Sequence, residues 1–332
     1  MKRLLGRHEF YLFLIILLFS LVITLINPNF LTLENFFDLA KGYSFLGVLA
    51  VGVLVVLISG GIDISFTAVT TVAEYMLALY LKRYTGNIVA AFLLAVCIGA
   101  ALGAINALLI YFLRIPTIIT TIATLNIYYG LLTVLSGGTW IYALPEWFVK
   151  FSGFKLIRLA TREGIPYGLS VVTAIWIGVI ILAFIILRRT TLGRSIYSIG
   201  GNIVSARRVG INIFNVQLFV YCFMGLLCGV AAVIHALLVQ TVAPNAIVGK
   251  ELDVIAAVVL GGASIGGGHG TLGGTFLGVA LMALMSNGLT FMHVSSFWYN
   301  VVVGLIILVS ISISAYRLRA REKQKTVADV GP

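Results

Sequence analysis

Apolar and polar residues alternate along this chain in long blocks rather than with the short periods of a soluble helix or strand. Five blocks in the first half, residues 10–26, 43–58, 66–81, 88–113 and 116–135, are apolar with few interruptions, and five more follow at 169–187, 216–239, 254–265, 271–292 and 297–314. A helix needs about 20 such residues to cross a bilayer, with wide tolerance. The pattern therefore predicts an all-α, polytopic transmembrane bundle of about ten helices. Several blocks are short or carry glycine, and such backbone is tolerated at membrane depth where protein or a water-filled cavity surrounds it. Some helices are thus expected to be broken or to span only part of the membrane.

Composition agrees with the pattern. Hydrophobic residues make up 61% of the chain and charged residues 10%, against about a quarter charged in an ordinary soluble domain. The net charge of +11 is not read as a nucleic-acid signal, because basic residues in a membrane chain mark the cytoplasmic side. Cys97, Cys222 and Cys228 are odd in number and lie in apolar blocks, where cysteine packs as a small side chain, so no disulfide framework is implied. The N-terminus resembles a signal peptide, but its apolar run ends at Asn27-Pro28 without a small-residue cleavage site, which predicts a retained first helix.

Ten crossings with both termini in the cytoplasm sort the 22 Lys and Arg residues unevenly. Lys2, Arg3, Arg7, Arg114, Arg188, Arg189, Arg194, Arg207, Arg208, Arg317, Arg319, Arg321, Lys323 and Lys325 fall inside, 14 in all, and eight fall outside. The excess follows the positive-inside rule. On this reading residues 1–316 form the membrane domain and 317–332 a charged cytoplasmic tail.

The polar segment 188–213 holds five of the inside arginines and no acid. Gly193 and Gly200-Gly201 are expected to break short helices there, Asn202 to cap the next one, and residues 205–209 to form it. That patterning exceeds what a passive connector needs and points to a docking element for another cytoplasmic protein. A bulky β-branched residue at Gly201 is expected to uncouple it.

Other motifs dissolve on inspection. Gly268-x-Gly270-x-x-Gly273 has the spacing of a dinucleotide fingerprint but neither the preceding strand nor the sheet. Gly261 and Gly266 have phosphate-loop spacing, but Gly267 stands where lysine is required. The glycines of 261–274 instead suit a tight re-entry and close helix packing. His8, His235, His269 and His293 show no metal-ligand spacing, and no nucleophile elbow or HExxH is present. Catalysis on this chain is not expected.

Two carboxyl groups interrupt the apolar pattern. Asp63, within Ser59-Gly60-Gly61-Ile62-Asp63-Ile64-Ser65, either caps the third helix or takes part in gating or lining a path. Glu74 stands at the ninth position of block 66–81, where a charged side chain costs about 2.5–3.5 kcal/mol to insert. It is a protonated acid in a subunit contact, a side chain angled toward Lys82 and Arg83, or a polar group facing a permeation path. Two strings also echo each other: Val55-Val56-Leu57 leading to Ser59-Gly60-Gly61, and Val258-Val259-Leu260 leading to Gly261-Gly262-Ala263.

At four places the chain resembles the permease subunits of bacterial ABC sugar importers of the ribose type, which include the autoinducer-2 permeases. These are residues 58–65, Ile115-Pro116 with Thr120-Thr121, Gly200-Gly201-Asn202 with Ala206 and Gly210-Ile211, and Glu251-Leu252-Asp253 leading through Ala256-Ala257 to Gly261-Gly262. The resemblance implies a multi-pass protein of the bacterial inner membrane that carries a monosaccharide or small polyol. It implies as partners a second permease copy or homologue, two ABC ATPase subunits or one tandem ATPase, and a periplasmic or lipid-anchored binding protein. ATP and Mg belong to the ATPase, with no cofactor on this chain. Gly193, Arg194, Tyr197, Gly200, Gly201, Asn202, Ala206, Arg207, Arg208 and Gly210 become the ATPase-coupling residues. Ser59, Asp63, Ser65, Glu74, Asn106, Thr120, Thr121 and Asn287 become pathway or gate candidates. The competing class is an ion-coupled secondary transporter using Asp63 or Glu74.

Overall fold

The computed structural model describes residues 8–308 except 85, 161–163, 165, 293, 296, 302, 306 and 307. Lys2, Arg3, Arg7, Arg162, His293, the end of the tenth block and the charged tail lie outside the described residues. Thirteen helices follow in order among the described residues, and nine of the ten apolar blocks coincide with one. Helix α1, His8–Ile26, leads through a 3₁₀ turn to α2, Leu33–Gly42, which bends by 54° into α3, Ser44–Ile58. Then come α4, Phe66–Arg83, α5, Ile88–Leu113, and α6, Thr117–Ser136. The long polar connection holds α7, Glu146–Ser152, and a two-stranded hairpin, β1 Leu159–Ala160 with β2 Pro166–Tyr167. After it stand α8, Val171–Arg189, α9, Thr191–Gly201, α10, Ile203–Arg208, α11, Ile213–Val239, α12, Glu251–Leu260, and α13, Leu272–Phe291. Residues 297–301 and 303–305 are helical again.

Six of these helices, α1, α5, α6, α8, α11 and α13, are long and apolar enough to cross a membrane, or up to seven with the bent pair α2–α3. The shortfall from ten has a physical cause. α12 has ten residues, about 15 Å at the α-helical rise, or half of a hydrocarbon core. Its C-terminal end at Gly261 is buried against Gly274 at the start of α13, the kind of setting in which a partial span is tolerated.

Helices α3 and α11 form the centre. α3 is apolar on every face and buried over nearly its whole length, as a helix without a polar stripe must be. α11 lies against α5 through Gly99 and Gly103 on one side and Gly225 and Gly229 on the other, both with GxxxG spacing. A Cβ on Gly99 would overlap the carbonyl oxygen of Gly225, and one on Gly225 would overlap that of Gly99. Backbones this close replace the hydrophobic drive that is missing between helices in lipid. Gly225→Ile is therefore expected to abolish recovery of folded protein from membranes, whereas Gly130→Ile, where a Cβ meets nothing within 4 Å, is expected to be recovered normally. Size-exclusion profiles of the two variants check this.

The echoing strings end in the same turn. Gly60 (φ 83°) and Gly262 (φ 88°) occupy left-handed backbone. Gly60 N donates to Leu57 O and Gly61 N to Val56 O, while Gly262 N donates to Val259 O and Ala263 N to Val258 O. Both are Schellman ends. They align Val56 with Val258, one register from the sequence match of Val55 with Val258. The start of α1 is fastened beside the second turn: His8 Nε2 is 2.7 Å from Leu260 O, and Thr271 Oγ1 donates to Glu9 Oε1 at 2.5 Å.

Candidate functional site: the glycine junction beneath the basic helices

The basic segment folds as two short helices, α9 and α10. Thr190 caps α9, its Oγ1 accepting from Gly193 N at 3.1 Å. Gly193 does not break a helix as expected; it lies within α9, where the missing Cβ lets the helix rest on the carbonyls of Ile186 and Leu187 at the end of α8. Ile196 and Ile199 are buried while Arg194 is exposed, so α9 lies on the bundle with one face in solvent. Gly200-Gly201 ends α9, and Asn202 caps α10, its Oδ1 accepting from Ser205 N at 2.9 Å. α10 starts two residues earlier than the sequence suggests. Ala206 is its one buried residue, Gly210 turns the chain back at φ 84°, and Arg207 and Arg208 stand exposed.

α9 meets the Schellman turn after α3, and the loop between α12 and α13, backbone to backbone. A Cβ on Gly200 would overlap Ile58 O and crowd Gly268 N, and Gly268 N itself donates to Ile58 O at 2.9 Å. A Cβ on Gly267 would likewise crowd Gly200 and Gly60. Tyr197 OH adds a bond of 2.8 Å to Gly270 O. Burial pushes the Tyr197 phenol up from its ordinary pKa. The turn after α3, the end of α9 and the loop between α12 and α13 thus share one contact with no flexible side chain between them. Packed backbone transmits displacement rather than absorbing it. The backbone of Gly201 also lies against Gly268, but a Cβ on Gly201 itself meets nothing within 4 Å among the described residues. The position with no room for a side chain is Gly200 rather than Gly201.

Beyond the first turn the chain runs non-helically from Gly61 to Ile64 before α4 begins. Its backbone is satisfied by α6: Ile62 N donates to Thr117 Oγ1 at 3.0 Å, Ile64 N to Thr121 Oγ1 at 3.2 Å, and Thr121 Oγ1 to Ile62 O at 3.3 Å. Asp63 does not cap α4 directly. Its Oδ1 accepts from Ser65 N at 2.8 Å and Ser65 Oγ at 2.7 Å, holding the residue that precedes the helix. Asn106 Nδ2 donates to Ser65 Oγ at 2.7 Å, and Tyr128 OH donates to Asn106 Oδ1 at 3.2 Å. Asp63, Ser65, Asn106 and Thr121 therefore belong to one buried network.

The remaining pathway candidates stand apart. Ser59 lines a cavity beside the junction, Thr120 is buried with its hydroxyl on Pro116 O, and Asn287 is 3.4 Å from Asn35. Glu74 is fully buried, and its Oε1 is 2.8 Å from Nδ1 of His235 on α11. It is not angled toward Lys82 and Arg83. Sequence reasoning missed His235, which lies 161 positions away. The available signal was that one histidine and one glutamate, each alone in an apolar block, each require a partner. The GxxxG pairs were also visible in the sequence and were not used.

A family model described as branched-chain amino acid transport system / permease component matches residues 35–311. The chain belongs to this permease family. Among its relatives, the ribose import permease protein RbsC of Escherichia coli strain K12 is 32% identical over 295 residues, covering 88% of this chain and 89% of the relative. The ribose import permease protein RbsC of Bacillus subtilis strain 168 is 34% identical over 300 residues, covering 90% of each. The autoinducer 2 import system permease protein LsrC of Enterobacter sp. strain 638 is 32% identical over 310 residues, covering 93% of this chain and 87% of the relative. No solved structure matches. The chain is a multi-pass transport permease.

Proposed function

We propose that this permease is the membrane subunit of an ATP-driven importer in the bacterial inner membrane, carrying a monosaccharide or small polyol of the ribose or autoinducer-2 class. The family description names branched-chain amino acids, but relatives matched over about nine-tenths of both chains are named for ribose and autoinducer 2, which favours a hydroxylated cargo. Both termini and the basic helices lie in the cytoplasm, in keeping with the arginine distribution. A second permease chain completes the membrane unit. Two ATPase subunits, holding ATP and Mg, dock on α9–α10, and a periplasmic or lipid-anchored binding protein delivers the cargo.

The observation that carries the coupling mechanism is the seat of Gly200 on the end of α3 and on the loop between α12 and α13. A solvent-exposed basic helix pair is joined without compliant side chains to the end of α3 and to the loop between α12 and α13. When the ATPase dimer closes, it moves α10, and α9 carries that displacement into the turn after α3 and the loop between α12 and α13. α12 and the extended run before α4 shift with them and alternate the access of the path. ATP binding thus biases two arrangements of the bundle by binding one of them better.

One observation favours an ion-coupled transporter instead, the Glu74–His235 pair within the membrane. Uptake in proteoliposomes separates the two readings. It is expected to require ATP and the binding protein, and to persist when a protonophore collapses the proton gradient at constant ATP. Loss of uptake with the protonophore would favour the ion-coupled reading.

A further inference from the structure

A cavity of about 1180 Å³ opens beside the glycine junction, between the α5–α6 turn and α10. Its lining falls into two parts. One is polar and basic, with Arg114, Arg207, Asn202 and Gln217, and no acidic residue stands among the described lining residues. The other is aromatic: Tyr111, Phe112 and Phe214 pack with ring centroids 4.7–6.2 Å apart, and Tyr111 and Phe112 are exposed on α5. Tyr221 also lines this space; its hydroxyl is buried and has no hydrogen-bond partner within bonding distance among the described residues. A buried hydroxyl left without a partner costs about 1–3 kcal/mol, so a ligand group that reaches it is favoured. Arg114 holds a left-handed backbone conformation at φ 55°, unusual for a residue other than glycine, asparagine or aspartate.

We propose that this cavity binds the headgroup of an anionic phospholipid. Two arginines without an acid call for an anion, and the guanidinium fork matches phosphate oxygens in pairs. Asn202, Gln217 and the Tyr221 hydroxyl offer partners for glycerol hydroxyls beside that phosphate. The aromatic wall selects a ligand with an acyl chain over a soluble phosphate, since rings of this kind settle at the membrane interface. Basic pockets at the cytoplasmic ends of transmembrane helices suit anionic headgroups. The bound lipid would brace the α5–α6 turn against α10. This inference rests on the cavity and on membrane residence, not on the cargo or the energy source.

Native mass spectrometry of the full chain, purified in mild detergent and titrated with phosphatidylglycerol, tests it. Arg114→Asn removes the charge while keeping a residue that accepts left-handed backbone, and is expected to weaken phosphatidylglycerol binding about tenfold, the loss of one charge-assisted contact. Tyr221→Phe is expected to weaken it about threefold, the loss of one neutral hydrogen bond. Arg189→Ala, outside the cavity, is expected to bind as the parent chain does. Equal phosphatidylglycerol binding by the parent, Arg114→Asn and Tyr221→Phe would overturn the site. Displacement of the lipid by an equal concentration of glycerol 3-phosphate would overturn the lipid assignment in favour of a soluble phosphate. If Arg114→Asn does not fold, Gln217→Leu replaces it, and unchanged binding in that variant together with Tyr221→Phe overturns the proposal.

Discussion

Uptake by a Gly200→Val permease is expected to fall about 100-fold, equivalent to ~3 kcal/mol, the upper end of what overpacking costs. The obstacles to the new side chain are Ile58 O and Gly268 N, which are backbone and cannot rotate away. α9 must then lift from the turn after α3, from the loop between α12 and α13, or from both, and the displacement of α10 no longer reaches them. Basal ATP hydrolysis by the assembled complex is expected to persist, because Gly200 faces the bundle rather than α10's exposed surface. Gly201→Val serves as the internal control and is expected to stay within about twofold of the parent, as surface substitutions usually do. Uptake and ATP hydrolysis measured together in proteoliposomes check both expectations. A Gly200→Val complex that couples normally would show that the three-turn contact does not transmit motion.

The second large effect is expected at the intramembrane pair. Glu74→Leu leaves His235 Nδ1 without its partner, and His235→Phe strands a buried carboxyl group. Removing one member of a buried charged pair costs about 3–5 kcal/mol. A neutral hydrogen bond between membrane helices averages only about 0.6 kcal/mol. The size of the effect therefore reports the charge on the pair. Each single variant is expected to lose ~3 kcal/mol of stability, and the double variant Glu74→Leu/His235→Phe to recover most of it, because it leaves no charge behind. Thermal unfolding of the four purified chains completes the cycle. Single variants that melt with the parent would mean that the contact contributes nothing to holding α4 on α11.

The helices were legible in the sequence because membrane burial writes itself in long apolar blocks, and the limits of α5 agree with its block at both ends. The half-length of α12 was legible only as a short block, since His8, which meets its end at Leu260 and Gly262, is distant in sequence. Local signals also worked where the chemistry is local: Asn202 caps α10 through a bond three residues on. They failed at Gly193, where the same residue type serves close packing rather than helix breaking. Asp63 could be recognised as a break in the apolar pattern, but Thr117 and Thr121, which satisfy the extended backbone around it, belong to another helix. The Glu74–His235 pair and the Gly200 contact were beyond reach for the same reason. Each joins residues distant in the sequence, and neither carries a spacing that a single sequence reveals.

Site-specific photo-cross-linking from α10 tests the central claim most directly. Val204 lies on α10 and is 58% exposed, and Leu135 lies at the far end of α6 and is 85% exposed. A benzoylphenylalanine at each position, in cells carrying the complete importer, reports which surface meets the ATPase. The expected result is a covalent adduct with the ATPase subunit from Val204 and none from Leu135. An adduct from Leu135, or none from Val204 in a complex that imports its cargo, would contradict docking on the basic helices.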